Sequence, residues 1–310
     1  MLTFRLCLSF FSVRTVKQLD EVLTAISPKI RALRTSTLFR RADNYAIERT
    51  GGMTTIENGS ETRELKGKRA LVTGGSRGIG AAVVRQLLDA GAEVLTTARS
   101  ATSTVPEGAA FVAADVRTRA GAETLAAAAQ EVLGGVDVLV HNTGGAQPYK
   151  DTSAIPDEEW QAALDWNYLA SVRLDSLLVP GMRERRSGMI LHVSSAAVLT
   201  PMGPFLHYTA AKAALENYSR GLALELAPFG IRVNTVSPGR TATPGGEATR
   251  EQWARLNAAP GETNANDTPP LGREGQPDDI AHAVLYLVSD RASWLTGRNF
   301  IVDGGEFPMG

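Results

Sequence analysis

Ser195, Tyr208 and Lys212 follow one another at spacings of thirteen and four residues, with Asn167 upstream of all three. A tyrosine is a poor acid near neutrality, because its ordinary pKa is about 10. Lys212 lies one helical turn beyond Tyr208 and so shares its helix face. An ammonium at ~4.5 Å, with an effective dielectric near 20, stabilises a phenolate by about 3–4 kcal/mol. That lowers the phenol's pKa by about 2–3, toward the range where general acid–base catalysis works. Ser195 could then hydrogen-bond a substrate oxygen as charge develops on it. Asn167 could hold a water linking Lys212 to solvent. Each residue alone has an ordinary explanation: Tyr-x-x-x-Lys arises by chance, Ser195 could close a strand, and a mid-helix asparagine often braces a loop. The case rests on their joint occurrence downstream of a second motif.

That motif is Thr73-Gly74-Gly75-Ser76-Arg77-Gly78-Ile79-Gly80, which closes an apolar strand pattern and opens a helical one. Gly74 can take a positive-φ turn, while Gly78 and Gly80 permit close approach of backbone, helix and phosphate. The helix N-terminus after Ile79 adds amide donors and partial positive charge, so the turn suits a pyrophosphate. The spacing departs from Gly-x-Gly-x-x-Gly, with Val83 in the third glycine position. At the end of the second strand pattern, an acid would bind a ribose 2′-hydroxyl, whereas arginine accommodates a 2′-phosphate. The chain has Thr97-Ala98-Arg99-Ser100 there, and Arg77 adds a second cation. NADP(H) is the expected cofactor, with NAD(H) as the alternative.

These groups must be carried by a regular scaffold. From Lys68 onward, apolar runs at Arg69–Val72, Glu93–Thr97, Ala110–Ala113, Val136–Val140, Met189–Val193, Arg232–Val236 and Asn299–Val302 read as strands. Between them lie helical patterns at Ile79–Ala90, Ala120–Leu133, Asp157–Met182, Tyr208–Ala227 and Pro277–Ser289. The alternation predicts an α/β fold: one Rossmann-type, doubly wound parallel sheet of about seven strands with helices on both faces. Residues 61–310 form this catalytic domain. Within it, about 240–275 is rich in Pro, Gly, Thr and Asn, with a helical island at Glu247–Leu256, and reads as a substrate lid.

The 310 residues are 43% hydrophobic with net charge −1, which gives no whole-protein attraction to nucleic acid. One cysteine, Cys7, excludes an internal disulfide framework and a cysteine metal cluster, and the four scattered histidines show no metal-ligand spacing. No metal is expected, and a reducing cytoplasm is the expected compartment. Residues 1–60 form an extension that reads as disordered or partly helical. Its first 52 residues hold nine Lys/Arg against four Asp/Glu, a net +5. The apolar patch from Leu2 to Val13 contains Arg5 and is too short for a membrane span. Val16, Leu19, Leu23, Ile26, Ile30 and Leu33 mark one helix face interrupted by Pro28. Met53 is an equally good start for the chain.

Taken together, the motifs resemble the short-chain dehydrogenase/reductase family from about Leu65 to Gly305. The matching pieces are residues 73–80, Asp115-Val116, Asn142-Thr143-Gly144, Asn167, Ser195, Tyr208-x-x-x-Lys212, Ser237-Pro238-Gly239 and Val302-Asp303-Gly304-Gly305. The resemblance implies hydride transfer between a nicotinamide cofactor and a carbonyl or secondary alcohol. It implies that Asp115 and Val116 meet the adenine, that Asn142 and Gly144 line the cofactor trough, and that Lys212 also binds the nicotinamide ribose. By the same likeness Pro238, Gly239, Thr241 and Thr243 touch the carboxamide and phosphates, and the protein is a homo-tetramer or homo-dimer. His141 stands where the family usually has asparagine; it could hydrogen-bond across the sheet in that residue's place, but a space-filling role is the expectation.

The nearest family comparison is with bacterial 3-oxoacyl-carrier-protein reductases, so the small-molecule substrate could be carrier-linked, with Arg183, Arg185 and Arg186 as a docking patch. Met202, Phe205 and Trp253 suggest an apolar, medium-sized pocket. Two other functions compete: a non-catalytic dinucleotide-binding redox sensor, and a sugar-nucleotide epimerase or dehydratase. A sensor has no need of the proton donor, and an epimerase calls for a larger C-terminal substrate domain.

Overall fold

The computed structural model describes residues 64–256 and 268–307. The expectations for the extension over 1–60, for a start at Met53 and for lid residues 257–267 lie outside the described residues.

Seven parallel strands form one sheet. In chain order they are β1 Arg69–Thr73, β2 Glu93–Ala98, β3 Ala110–Ala113, β4 Val138–His141, β5 Gly188–Val193, β6 Ile231–Pro238 and β7 Asn299–Val302. Their spatial order is β3-β2-β1-β4-β5-β6-β7. The seven expected strands are all present, each within two residues at either end. The reason is burial on both faces, which makes parallel strands read as apolar runs.

Alternate side chains of each strand enter two separate cores. Ala70, Val72, Val140, Leu191 and Val236 pack with helices α1 (Gly78–Asp89) and α7 (Pro277–Val288). Leu71, Leu139, Ile190 and Val233 face the opposite side. They meet α2 (Arg119–Leu133), α4 (Ala170–Arg185) and α5 (Leu206–Leu226). The remaining helices are α3 (Asp157–Leu164) and α6 (Pro244–Leu256). Sheet order reverses between β1 and β4, so the loops leaving their C-terminal ends part in opposite directions and open a crevice.

One helix differs from expectation. Asp157–Met182 reads as a single helix, but the chain forms α3, then a π-helical turn over Asp165–Leu169, then α4. The extra residue in that turn changes the direction of Asn167, and such bulges recur at functional sites. The segment between β6 and α7 is tied at both ends. Thr241 bridges Gly275, Ala242 N donates to Gly275 O at 2.8 Å, and Gly275 N donates to Arg240 O at 3.0 Å. No helix among the described residues is long and apolar enough to cross a membrane.

Candidate active site

The crevice is a cleft of about 940 Å³ along the C-terminal ends of the strands. Of the residues the sequence marks as catalytic or cofactor-binding, all but Asn167 line it. The glycine turn forms its floor. Gly74 has φ +71° and Gly78 +55°, conformations that favour glycine. A Cβ on Gly80 would stand 2.1 Å from the Gly74 carbonyl oxygen, so this glycine lets α1 close on its own turn. Asn142 braces this turn from β4. Its Nδ2 donates to the carbonyls of Thr73 and Gly74 at 3.1 and 3.2 Å, and its backbone N–H donates to Thr73 Oγ1.

At one end of the cleft are three cations. Arg77 and Arg99 are exposed and form no ion pair among the described residues, while the Arg99 guanidinium sits 5.5 Å from the Trp166 ring centroid. Arg117, which sequence reasoning missed, holds Asp115 through three hydrogen bonds of 2.6–3.1 Å. Hydrogen bonding from Arg117 keeps the Asp115 carboxyl below its ordinary range despite partial burial. Trp166 was also missed. Its indole Nε1 is buried without a partner, and it borders the cleft beside Arg99. Only its place next to Asn167 could have flagged it.

At the other end, α5 presents Tyr208 and Lys212, and the turn after β5 presents Ser195. Lys212 is 3% exposed, and its Nζ donates to the Val193 carbonyl at 2.7 Å. Burial pushes the ammonium down to about 8, with Glu216 opposing the shift. The expected acidification of Tyr208 by Lys212 is not met in the protein by itself. Burial raises the phenol's pKa, and the neighbouring Ser195 hydroxyl only partly offsets this. The physical reason is distance and aim. The ammonium is 6.0 Å from the ring centroid and is committed to a carbonyl, so desolvation outweighs its attraction.

Asn167 sits behind the cleft at 2% exposure. Its Oδ1 accepts from Gly145 N at 3.0 Å, and its Nδ2 donates to Gly145 O and Ala163 O. These bonds make it a brace for the loop over Lys212. A Cβ on Gly144 would meet Asn167 Oδ1 at 2.8 Å and Lys212 Nζ at 3.0 Å, so only glycine fits between them.

Three expectations are corrected. Phe205 and Trp253 pack against each other at a tilt, 5.5 Å between centroids, and neither they nor Met202 lines the cleft. Its wall instead includes polar Gln147, Thr249, Arg250 and Gln252. Arg183, Arg185 and Arg186 lie along the edge formed by the strands' N-terminal ends, near the starts of β4, β5 and β6. Arg183 pairs with Glu225, Arg185 donates to Val136 O and Arg186 to Pro228 O. That edge lies away from the cleft, so they are no docking patch at its mouth. His141 does more than fill space, since its Nε2 lies 2.8 Å from Asp175 Oδ1.

The donor set fits a nicotinamide dinucleotide. A glycine floor that a Cβ would fill, an orphan indole N–H and a row of cations answer to a long polyanion carrying planar rings.

Comparison with known proteins agrees with this chemistry. The family model described as enoyl-(acyl carrier protein) reductase matches residues 74–306. The chain is 32% identical over 249 residues to the 3-oxoacyl-(acyl-carrier-protein) reductase FabG of Vibrio cholerae, covering 78% of this chain and 98% of that protein. It is 36% identical over 254 residues to L-rhamnose 1-dehydrogenase (NAD(P)(+)) of Azotobacter vinelandii, covering 77% and 96%. Among solved structures, L-sorbose reductase of Gluconobacter frateurii complexed with NADPH and L-sorbose superposes with TM-score 0.71 at 31% identity, covering 79% of this chain and 98% of that one.

Proposed function

The chain belongs to the short-chain dehydrogenase/reductase family, and from that premise we propose that it reduces a small carbonyl compound with NADP(H), reversibly, using Tyr208 as general acid. The observation that carries the reading is the single cleft in which the glycine turn, Ser195, Tyr208 and Lys212 all meet. When bound, the reduced nicotinamide supplies the hydride. Gly74 to Gly80, Asn142, Gly144, Pro238, Gly239, Thr241 and Thr243 would hold the cofactor, with Asp115 and Val116 at the adenine.

The chain's own groups manage the proton. Tyr208 keeps part of its surface open to the cleft and stays protonated at neutral pH, because burial raises its pKa. In the reducing direction it donates that proton to the oxygen that becomes the alcohol. Ser195 Oγ–H hydrogen-bonds the same oxygen while negative charge develops on it. Lys212 holds a positive charge behind the phenol, so the phenolate left after transfer is stabilised. Asn167 fixes the Gly144–Gly145 loop against that ammonium. In the reverse direction the phenolate is the base.

Preference for NADP(H) over NAD(H) follows from two exposed guanidiniums, Arg77 in the glycine turn and Arg99 at the β2 end, while the nearby Asp115 carboxylate is held by Arg117. The substrate is a free, hydroxyl-bearing small molecule, as the polar wall of Gln147, Thr249 and Gln252 favours; the L-sorbose and L-rhamnose enzymes are similar in chain and in named substrate class. A redox sensor is disfavoured because the proton donor is retained in the cleft. A homo-oligomer in the cytoplasm remains part of the proposal.

The experiment is an assay of the full chain against ketoses, aldoses, simple ketones and a 3-oxoacyl thioester, each with NADPH and NADH. Reduction of a hydroxylated carbonyl with NADPH preferred is the expected result. Oxidation of neither cofactor with any carbonyl would overturn the proposal.

A further inference from the structure

Beneath the catalytic end, outside the cleft, lies a group of buried polar side chains that the proposed reaction does not use. His141, His192 and Thr235 are lateral register partners on β4, β5 and β6. All three project toward α4 and α5, since their strand neighbours Leu139, Ile190 and Val233 enter the core on that side. Asp175 descends onto them from α4. Its Oδ1 lies 2.8 Å from His141 Nε2, and its Oδ2 accepts from Tyr218 OH at 3.0 Å. His192 Nε2 stands 3.4 Å from Oδ2 and has no hydrogen-bond partner. The chain continues through His192 Nδ1 to Ser219 Oγ at 3.1 Å and on to Thr235 Oγ1 at 3.0 Å.

Two histidines and a carboxylate within 4.8 Å of one another have the composition of a metal site. The ring geometry argues against one. The imidazoles stack with centroids 4.8 Å apart and planes 8° from parallel, so their lone pairs run side by side. A metal lies in the plane of each imidazole that binds it, and these planes do not converge.

What the group does join is the set of elements around the catalytic end: β4, β5, β6, α4 and α5. β4 ends at Asn142 and Gly144, β5 at Ser195, and β6 at Pro238 and Gly239; α4 continues the turn holding Asn167, and α5 carries Tyr208 and Lys212. His192 also directly precedes Val193, whose carbonyl holds Lys212 Nζ. Resting on the reductase reading above, we propose that Asp175, with His141 and His192, is a positioning unit that sets the Lys212 ammonium against the Tyr208 phenol. A buried carboxylate bonded to His141 and Tyr218, with His192 beside it, ties strands and helices together. The ionised form is favoured: burial opposes it, but the two histidines hold Asp175 well below the ordinary carboxylate range. The other charged or titratable groups around it are Lys212, Glu216 and Tyr218 on α5 and Tyr168 in the π turn.

The test is an NMR titration of the Lys212 side chain in the full chain, free and with NADP⁺, using Lys212→Met to assign the signal and comparing native protein with Asp175→Asn. Displacement of Lys212 from its buried seat raises its midpoint above about 8, by about half a pH unit or more. Simple loss of a nearby negative charge would lower it, so the sign decides. Turnover should fall about tenfold, with NADPH Kd and carbonyl KM within about threefold of native, as misplacement of a catalytic group predicts. An unchanged or lowered midpoint overturns the proposal. So does a joint loss of turnover, cofactor affinity and Tm, which would mark a purely structural role. If Asp175→Asn does not fold, Ser219→Ala cuts the link to α5 alone; a smaller rise is expected, and no rise overturns it. Native protein that fails to turn over any carbonyl sinks the reductase reading instead, while the midpoints of the free protein still judge the cluster.

Discussion

The two ends of the cleft solve opposite problems with cations. Arg77 and Arg99 are exposed, carry no ion pair among the described residues, and can follow a phosphate wherever it sits. Lys212 is buried, fixed by the Val193 carbonyl, and pushed down to about 8. Exposed charges in high dielectric are worth little each and are screened by salt. They therefore suit selection between cofactors that differ by one phosphate. A buried ammonium is costly to desolvate, but the low dielectric around it strengthens its attraction for the phenolate left after proton transfer. Selectivity is assigned to the open end and rate to the closed end.

Changes at the closed end should be the larger. Lys212→Met is expected to lower turnover by about 10²–10³-fold, the size of losing one preorganised electrostatic partner. Tm should hold or rise, because a buried charge is removed. Steady-state rates with thermal melts check both, and a loss below threefold would break the contrast between the ends. Next in size, the double change Arg77→Ser with Arg99→Ser should weaken NADPH by about 10–100-fold, as expected for two charge-assisted hydrogen bonds. NADH should change less than about threefold. Equal losses for both cofactors, by fluorescence titration, would remove the selectivity assigned to the open end.

A pH profile sharpens the comparison. Lys212 must be charged to act, and its folded-state pKa is lowered to about 8. Its contribution is therefore present below that value and lost as pH rises through it, so kcat/KM for reduction should fall there. An ordinary lysine would move this limb above about pH 10. The smallest effect is expected from Trp166→Leu, which removes the ring under Arg99. An exposed cation–π contact contributes about 0.5–1 kcal/mol, or roughly a two- to fivefold loss in NADPH affinity.

The strands were legible because each is an unbroken apolar stretch between turn residues. The glycine turn and Tyr208-x-x-x-Lys212 were legible because their chemistry depends on short spacings along the chain. What stayed hidden depends on distances across it. His141 meets Asp175 across 34 positions, and no local pattern records that. The π turn at Asp165–Leu169 adds no residue type that a helix would lack, so Asp157–Met182 looked continuous. The pKa of Tyr208 failed differently: four-residue spacing fixes the helix face but not where a flexible lysine points, and Val193 O was the nearer acceptor. Arg183, Arg185 and Arg186 read as a basic patch in sequence, while the fold turns them to the edge away from the cleft.

The central claim is that the Tyr208 hydroxyl gives its proton to the substrate oxygen in a cleft that grips the cofactor independently. Tyr208→Phe removes that one oxygen and leaves the glycine turn and Lys212 in place. Measured in parallel, NADPH Kd should stay within about threefold of native while turnover falls by about 10²–10⁴-fold, the range for a general acid. Turnover within a few-fold of native, with the cofactor still bound, would contradict the claim.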